Sequence, residues 1–326
     1  MNPKVGVSVI IPSFNHEAFV GRAIDSVLAE HDVDLEVVVV DDGSTDLSRE
    51  RLAVYQEDPR VKIHLQENLG AHAALNRGLD LADGEFIFIL NSDDAFDPRR
   101  ISKLLQRLEK NRNASLAATW IEIIDADNAR IGIKQAWNSL PPWPAPTSGP
   151  FLSALGDPRL ALLETNWIST TSNIAFPSAL VREHGLRFAP LRYAHDWDFI
   201  LSACQMGTVE LVEEPLVRYR VHGANTIDEG TDEGQGLMRF EVMWVVARHA
   251  MRLIRSSAGA AAEFAHLRGL LSTSAPTFGC DAVFDQLLLL RGTDDNPPPA
   301  YDALLEPEHP FTKAAIELLQ SKILNF

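Results

Sequence analysis

Two adjacent carboxylates at the end of an apolar run are the first chemistry this sequence offers. Phe86-Ile87-Phe88-Ile89-Leu90 is rich in strand formers and runs through Asn91-Ser92 into Asp93-Asp94. Such a run reads as a strand buried on both faces. Aspartate is depleted in strands and costly to bury alone, so the pair belongs at the strand's C-terminal mouth. In open α/β sheets that is where ligands bind. Two hard oxygen donors there suit Mg²⁺ or Mn²⁺ shared with a substrate's phosphates. The plainer alternative is an acidic turn before a helix that Asp97-Pro98 opens.

Other residues offer chemistry with a structural alternative beside it. Asp41-Asp42-Gly43-Ser44 ends the run Leu35 to Val40. A carboxylate there can accept from a base N–H or a ribose hydroxyl, with Gly43 letting the backbone approach. Ser44 or Asp46 can equally cap the next helix. Arg218-Tyr219-Arg220 leads to His222. Its alternating arginines share a strand face, as an anion site or as an answer to the acidic background. Trp167 precedes the Ser/Thr-rich run Ser169 to Ser172, where acceptor contacts could lie. Trp137 and Trp143, in a proline-rich loop, form either a lid or packing beneath it.

The elements that must position these residues follow from periodicity. Strands are expected at Val7 to Ile11, Leu35 to Val40, Val61 to Leu65 and the run before Asp93. Helical spacing falls between them at Val20 to Leu28, Arg49 to Gln56 and Ala71 to Leu79. Alternation of this kind gives a parallel sheet with right-handed crossovers. A helix over Ile101 to Leu108 and a strand pair, Ala117 to Ile124 with Arg130 to Lys134, come next. Pro141 to Pro150 is a loop. Short strands at Ser172 to Phe176, Val209 to Val212 and Leu216 to Val221 surround a helix over Asp196 to Met206. Beyond about residue 226 the texture becomes helical: Leu237 to Ile254, Ala260 to Leu271, Ala282 to Leu290 and Lys313 to Ile323, with Asp294 to Pro299 as a break. The expected division is 1–225 for an α/β domain and 226–326 for a helical C-terminal extension.

Composition narrows the partners. Two cysteines in 326 residues, Cys204 and Cys280, make no disulfide framework and lack metal spacing. The net charge of −16 argues against nucleic acid and against a basic membrane face. With no long apolar segment and no signal core, the expectation is a soluble, cytoplasmic chain with at most peripheral membrane contact. No GxGxxG follows the first strand and no P-loop occurs.

Three motifs coincide in order and spacing: Ser-Val-Ile-Ile-Pro-Ser-Phe-Asn at 8–15, Val-Val-Asp-Asp-Gly-Ser-Thr-Asp at 39–46, and Gly-Glu-Phe-Ile-Phe-Ile-Leu-Asn-Ser-Asp-Asp at 84–94. With Asn68-Leu69-Gly70, Leu75-Asn76-Arg77-Gly78, His195-Asp196-Trp197-Asp198-Phe199 and Glu214 to His222, the chain resembles glycosyltransferase family 2 over roughly residues 5–225. The resemblance implies a GT-A, Rossmann-like, mostly parallel sheet flanked by helices. It also implies inverting transfer from a nucleotide diphosphate-sugar, most commonly UDP-linked, to a hydroxyl of a glycan or other acceptor. Cell-surface or secreted glycan synthesis is the expected setting.

Residue roles follow from the same resemblance. Pro12, Ser13, Phe14, Asn15, Asp41, Asp42, Asn68, Gly70 and Asn76 would line the nucleotide, with Asp42 on a base N–H. Asp94 would bind Mn²⁺ or Mg²⁺, Asp93 the ribose or a metal-bound water, and His222 the metal or a phosphate. Asp196 would be the catalytic base, and His195, Trp167, Arg218 and Arg220 would face acceptor or phosphate. Asp196 starts a helix, whose dipole favours the ionised form. Asp198 lies about 200° round that helix. An N-cap is the bland reading of Asp196. Asn91, His195 and Leu75 depart from the residues frequent in relatives. The rivals are a nucleotidyltransferase on a related fold, which would need a basic Gly-rich first loop, and a binding protein that has lost turnover.

Overall fold

The computed structural model describes residues 6–136, 138–139, 157–223, 232–254, 260–273, 283, 287, 303–306 and 308–321. Expectations for Trp137, Trp143, the loop 141–150, most of 282–290 and the break 294–299 lie outside them. By internal contacts the chain divides into two units. The first is Met1–Gly149, Trp167–Ala189 and Ser202–His222; the second is Pro150–Asn166, Pro190–Leu201 and Gly223–Phe326. One unit boundary falls between His222 and Gly223, and 150–166 and 190–201 group with the C-terminal residues.

In the first unit, β1 (Val7–Ser13), α1 (Val20–Leu28), β2 (Leu35–Asp42), α2 (Ser48–Ala53), β3 (Val61–Gln66), α3 (Ala71–Leu81) and β4 (Phe86–Ile89) alternate as expected. The strands lie in the order β3-β2-β1-β4, all parallel. Every residue of β2 and β4 is buried, as the apolar runs Val37 to Val40 and Phe86 to Ile89 require, and β2 buries Glu36, Asp41 and Asp42 as well. Helix α3 packs on β1 so closely that a Cβ at Gly78 would lie 2.3 Å from Ile10 Cγ2.

Past β4 the sheet becomes mixed. It continues through β5 (Ala95–Phe96), α4 (Arg100–Lys110), β6 (Ala114–Ile124), β7 (Arg130–Gln135) and β8 (Asn138–Ser139). A 3₁₀ turn, Thr171–Asn173, leads into β9 (Ala175–Pro177), which pairs antiparallel with both β4 and β6. The strand expected from Ser172 is therefore a turn followed by a shorter strand. The Thr170 side chain accepts from Ser172 N and holds that turn. The two short strands expected at 209–212 and 216–221 are one, β10 (Thr208–Arg220), parallel to β6. Its register slips on either side of Pro215, where no N–H is available for the ladder.

The second unit holds α5 (Pro158–Glu164), the start of α7 (His195–Cys204), α8 (Asp232–Ile254), α9 (Ala260–Thr273) and α10 (Pro310–Ser321); α6 (Ala179–Arg182) belongs to the first. Helix α8 packs against α5, α9 and α10. Phe240, Met243, Trp244, Val245, Val246, Ala247 and Ala250 are all buried, so α8 is covered on more than one face. Among the described residues no helix is long and apolar enough to cross a membrane.

The α3–β1 contact gives the first prediction. Gly78→Ala adds a methyl where Ile10 already stands, and overpacking costs about 1–3 kcal/mol against roughly 1 kcal/mol of helix propensity gained. The urea midpoint should fall at unchanged slope; an unchanged or raised midpoint would mean α3 lifts off β1 without cost.

Candidate functional site

Parallel β1 and β4 are neighbours, so the residues that follow them come to the same mouth. After β4, Asp94 is 1% exposed. Its Oδ2 accepts from Ser172 Oγ at 2.6 Å and its Oδ1 from the backbone N of Arg220 at 2.9 Å. Burial, then the charge of Asp93, holds its carboxyl well above the usual range, while the two donors favour the ionised form. The expectation gave Asp94 the metal. The structure gives both of its oxygens to the protein, because a carboxylate removed from water needs such donors.

Asp93 keeps its side chain 13% exposed. Its Oδ2 lies 3.1 Å from His222 Nε2 and 4.0 Å from His16 Nε2. One ligand atom from each of His16, Asp93 and His222 falls within 4.8 Å of the other two. His16 Nδ1 is 2.8 Å from Ser92 Oγ. The tautomer that donates from Nδ1 leaves the Nε2 lone pair free. Burial outweighs the pull of Asp93 and keeps the His16 pKa below its usual value, so the ring is neutral at pH 7. Two imidazole nitrogens and a carboxylate oxygen on three segments are a donor set that fits a divalent ion. His222 also packs against Phe19, ring centroids 4.8 Å apart. Sequence reasoning missed His16. The available signal was topological: His16 follows β1 as Asp93 follows β4.

The loop after β1 is stitched to the loop after β2. Asn15, with φ 53°, donates its N–H to Ser44 Oγ, and its Oδ1 accepts from Thr45 N at 2.8 Å. Phe14 is 41% exposed, Pro12 is partly buried and Ser13 is buried. Asp41 is fully buried, and its Oδ1 accepts from Ser44 N and Arg49 Nε, each at 3.1 Å. Asp42, expected on a base N–H, clamps the chain instead. Its Oδ1 accepts from Gln66 Nε2 and Leu69 N, and its Oδ2 from Gly70 N. Gly43 has φ 81°, and a Cβ there would meet Asn68 N at 2.7 Å, so the close approach read from that glycine is to the 66–70 loop. Asn68 Oδ1 also accepts from Gly70 N.

Other expected contacts are spent on structure. Asn76, expected at the nucleotide, pairs both ends of its amide with the backbone of Phe188, each bond 2.9 Å. The Arg220 guanidinium donates to the carbonyls of Asp93, Asp125 and Ala126, which makes it a strut between these turns. Arg218 pairs with Glu122. Trp167 is fully buried and offers no surface to an acceptor. His195 has its pKa pushed down to about 4 by burial, and a neutral ring carries no charge to a phosphate.

Asp196 lies in the second unit, in the first turn of α7. Its Oδ2 accepts from Asn166 Nδ2 at 2.9 Å and its Oδ1 from Trp197 N at 2.6 Å. Burial overrides these donors and the helix dipole, and pushes its pKa up to about 6. It is ionised at pH 7 and a better proton acceptor than an exposed aspartate. Asp198 faces other partners, Arg248 at 3.0 Å and His249 at 2.8 Å, as expected of a residue on a different face.

The sequence model of Glycosyl transferase family 2 matches residues 8–156. An uncharacterized glycosyltransferase of Haemophilus influenzae is 32% identical over 224 residues, 68% of this chain and 67% of that one. The chain spans about two thirds of the length of the first curated relatives it matches, 66% in one case and 67% in the other. Among solved structures it is similar to S. aureus TarS (TM-score 0.61, 19% identity, 97% of this chain and 55% of that one). It is also similar to the mannosyltransferase PcManGT from Pyrobaculum calidifontis in complex with GDP-Man and Mn²⁺ (TM-score 0.57, 17% identity, 98% and 87%). The fold these two share with the chain is GT-A. The chain belongs to glycosyltransferase family 2 and is a glycosyltransferase.

The buried Asp196 carboxyl predicts a pH-dependent stability. A carboxyl whose folded pKa, about 6, lies above its ordinary 3.8 binds its proton more tightly when folded. Its favourable contribution is therefore fully present below 3.8 and is lost as pH rises through about 6. Asp196→Asn should match the parent's stability near pH 3.5 and exceed it above pH 7 by up to about 3 kcal/mol. Urea midpoints for both proteins across that range check this, and a pH-independent difference would contradict it.

Proposed function

We propose that the chain transfers a sugar, with inversion, from a nucleotide diphosphate-sugar to an acceptor hydroxyl. The carrying observation is the His16–Asp93–His222 cluster at the mouth of β1 and β4, fixed from behind by the buried Asp94. TarS in complex with UDP and UDP-GlcNAc, and PcManGT with GDP-Man and Mn²⁺, support a nucleotide-sugar donor. A UDP-linked sugar is the donor we favour. Phe14 and Pro12 offer an apolar surface for the nucleoside beside the cluster's strand.

Asp93, His222 and His16 would hold a divalent ion. Imidazole ligands suit Mn²⁺ better than Mg²⁺, which prefers oxygen. A bound ion supplies charge neutralisation for the leaving diphosphate. Asp196 accepts the proton of the acceptor hydroxyl as its oxygen bonds to the anomeric carbon. The bond from that carbon to the diphosphate breaks, and the diphosphate keeps its electron pair. Asn166 and the Trp197 N–H orient the carboxylate for this task.

The test separates binding from chemistry. With Mn²⁺ present, UDP at 100 times its Kd should stabilise the protein by about 2.7 kcal/mol. That Mn²⁺-dependent gain should vanish in Asp93→Asn and shrink in His222→Ala and His16→Ala. Asp196→Asn should keep it while transfer falls about 10²-fold or more. Mn²⁺-independent nucleotide binding in the parent would overturn the metal assignment. Near-parent transfer by Asp196→Asn would overturn the base.

A further inference from the structure

In the second unit, the chain enters α7 through Arg192, Tyr193 and Ala194, whose backbone N–H groups all donate to one side chain. Glu241 of α8 accepts from Arg192 N at 2.9 Å with Oε1, and from Tyr193 N at 2.7 Å and Ala194 N at 3.0 Å with Oε2. It is 4% exposed. Three consecutive backbone N–H groups just ahead of a helix are thus met by one carboxylate. A carboxylate usually meets them from the same segment. Here it comes from a helix about fifty residues further along the chain.

The neighbouring contacts have the same aim. Arg248 and His249, two turns on along α8, both bond Asp198. Trp197 Nε1 donates to Leu162 O at 2.7 Å. The residues on either side of Asp196 are therefore tied to α8 and α5, while the Asp196 carboxylate accepts from Asn166 Nδ2 and from the backbone N of Trp197 in its own helix. These contacts act on where the Asp196 carboxylate stands.

We propose that Glu241 is a positioning residue for the base: it fixes the first turn of α7, and through it the place and direction of the Asp196 carboxylate. The proposal rests on the reading of Asp196 as the base. It gives α8 a part in the reaction that the sequence of the C-terminal region did not announce. A displacement of about 1 Å at a reacting group can cost on the order of 10²-fold in rate, so a residue that never meets the sugar can control turnover. Loss of Glu241 should lower kcat and leave donor binding alone, because its three bonds all end on the segment carrying Asp196. It should have no effect on turnover once Asp196 is no longer a carboxylate.

The experiment is a double-mutant cycle on the full-length protein, with kcat and donor affinity measured separately. Glu241→Ala should lower kcat about 10-fold or more, with the Kd for nucleotide and Mn²⁺ within about twofold of the parent. Glu241→Gln keeps one acceptor oxygen and should recover most of the rate. In an Asp196→Asn background, Glu241→Ala should change the residual rate by less than about twofold. An equal fractional loss in both backgrounds would make Glu241 merely structural and overturn the proposal, as would an unchanged kcat in Glu241→Ala. If Glu241→Ala does not fold, Glu241→Asp, whose shorter side chain draws the carboxylate back from the three N–H groups, carries the same cycle, and an equal fractional loss in both backgrounds would overturn the proposal equally. Parent-like transfer by Asp196→Asn alone would instead remove the base reading, and that result is read without any change at Glu241.

Discussion

The burial of Asp94 is the constraint that shapes the first unit. A carboxylate out of water must be met by donors, and the two that meet it come from distant segments, the turn before β9 and the last residue of β10. Satisfying one side chain therefore fixes where three segments end. The lock extends outward. Ser172 Oγ also accepts from Asn91 N, and the buried Arg100 donates to Ser172 O and to Thr119. Arg220 spends its guanidinium on carbonyls of the Asp93 and Asp125–Ala126 turns. The net result is a cross-braced floor under Asp93, whose own carboxylate stands beside two imidazoles.

The second unit handles its buried carboxylates differently. Asp198 is charge-paired with Arg248 and His249, and its pKa is held below the ordinary value despite burial. Asp196, two residues earlier, receives only neutral donors, and its pKa rises. The sign of each shift follows from the partner: a cation offsets lost solvation, an amide offsets part of it. One short helix thus carries an anchored anion and a basic one. A site that needs a proton acceptor is better served by the second, at a cost in stability.

Much of this was legible before any coordinates. The alternation of β1 to β4 with helices, the burial of Phe86 to Leu90 and the placing of Asp93-Asp94 at a strand mouth all follow from local pattern, because unbroken apolar runs have few other uses. The mixed half of the sheet was less legible. β5 is two residues long, and β9 pairs with strands on both sides that lie far away in sequence. No local period encodes such pairings. Pro215 misled in the other direction: it reads as a break between two strands, yet the ladder tolerates it as a bulge in one. His16 and Glu241 were invisible for a third reason. Each matters through what a remote segment brings to it, and neither sits in a pattern of its own.

The residues assigned to ligand and later found holding the chain share a cause. Loops at strand ends expose backbone N–H groups that no ladder satisfies, and those groups need acceptors as much as any ligand does. Asp42 is taken by Leu69 N and Gly70 N, Asp94 by Arg220 N, and Asn76 by Phe188 N. Aspartate and asparagine at a strand mouth are thus drawn by two demands that select the same residue types. A motif cannot separate them. What separates them is the balance of donors against acceptors once the loops are folded. At the mouth of β1 and β4, Asp93 Oδ2 stands 3.1 Å from His222 Nε2 and 4.0 Å from His16 Nε2, and Phe14, in the loop after β1, is 41% exposed. A carboxylate with two imidazoles is a donor set that would suit a divalent ion, and an exposed aromatic ring is a surface that would suit a flat base.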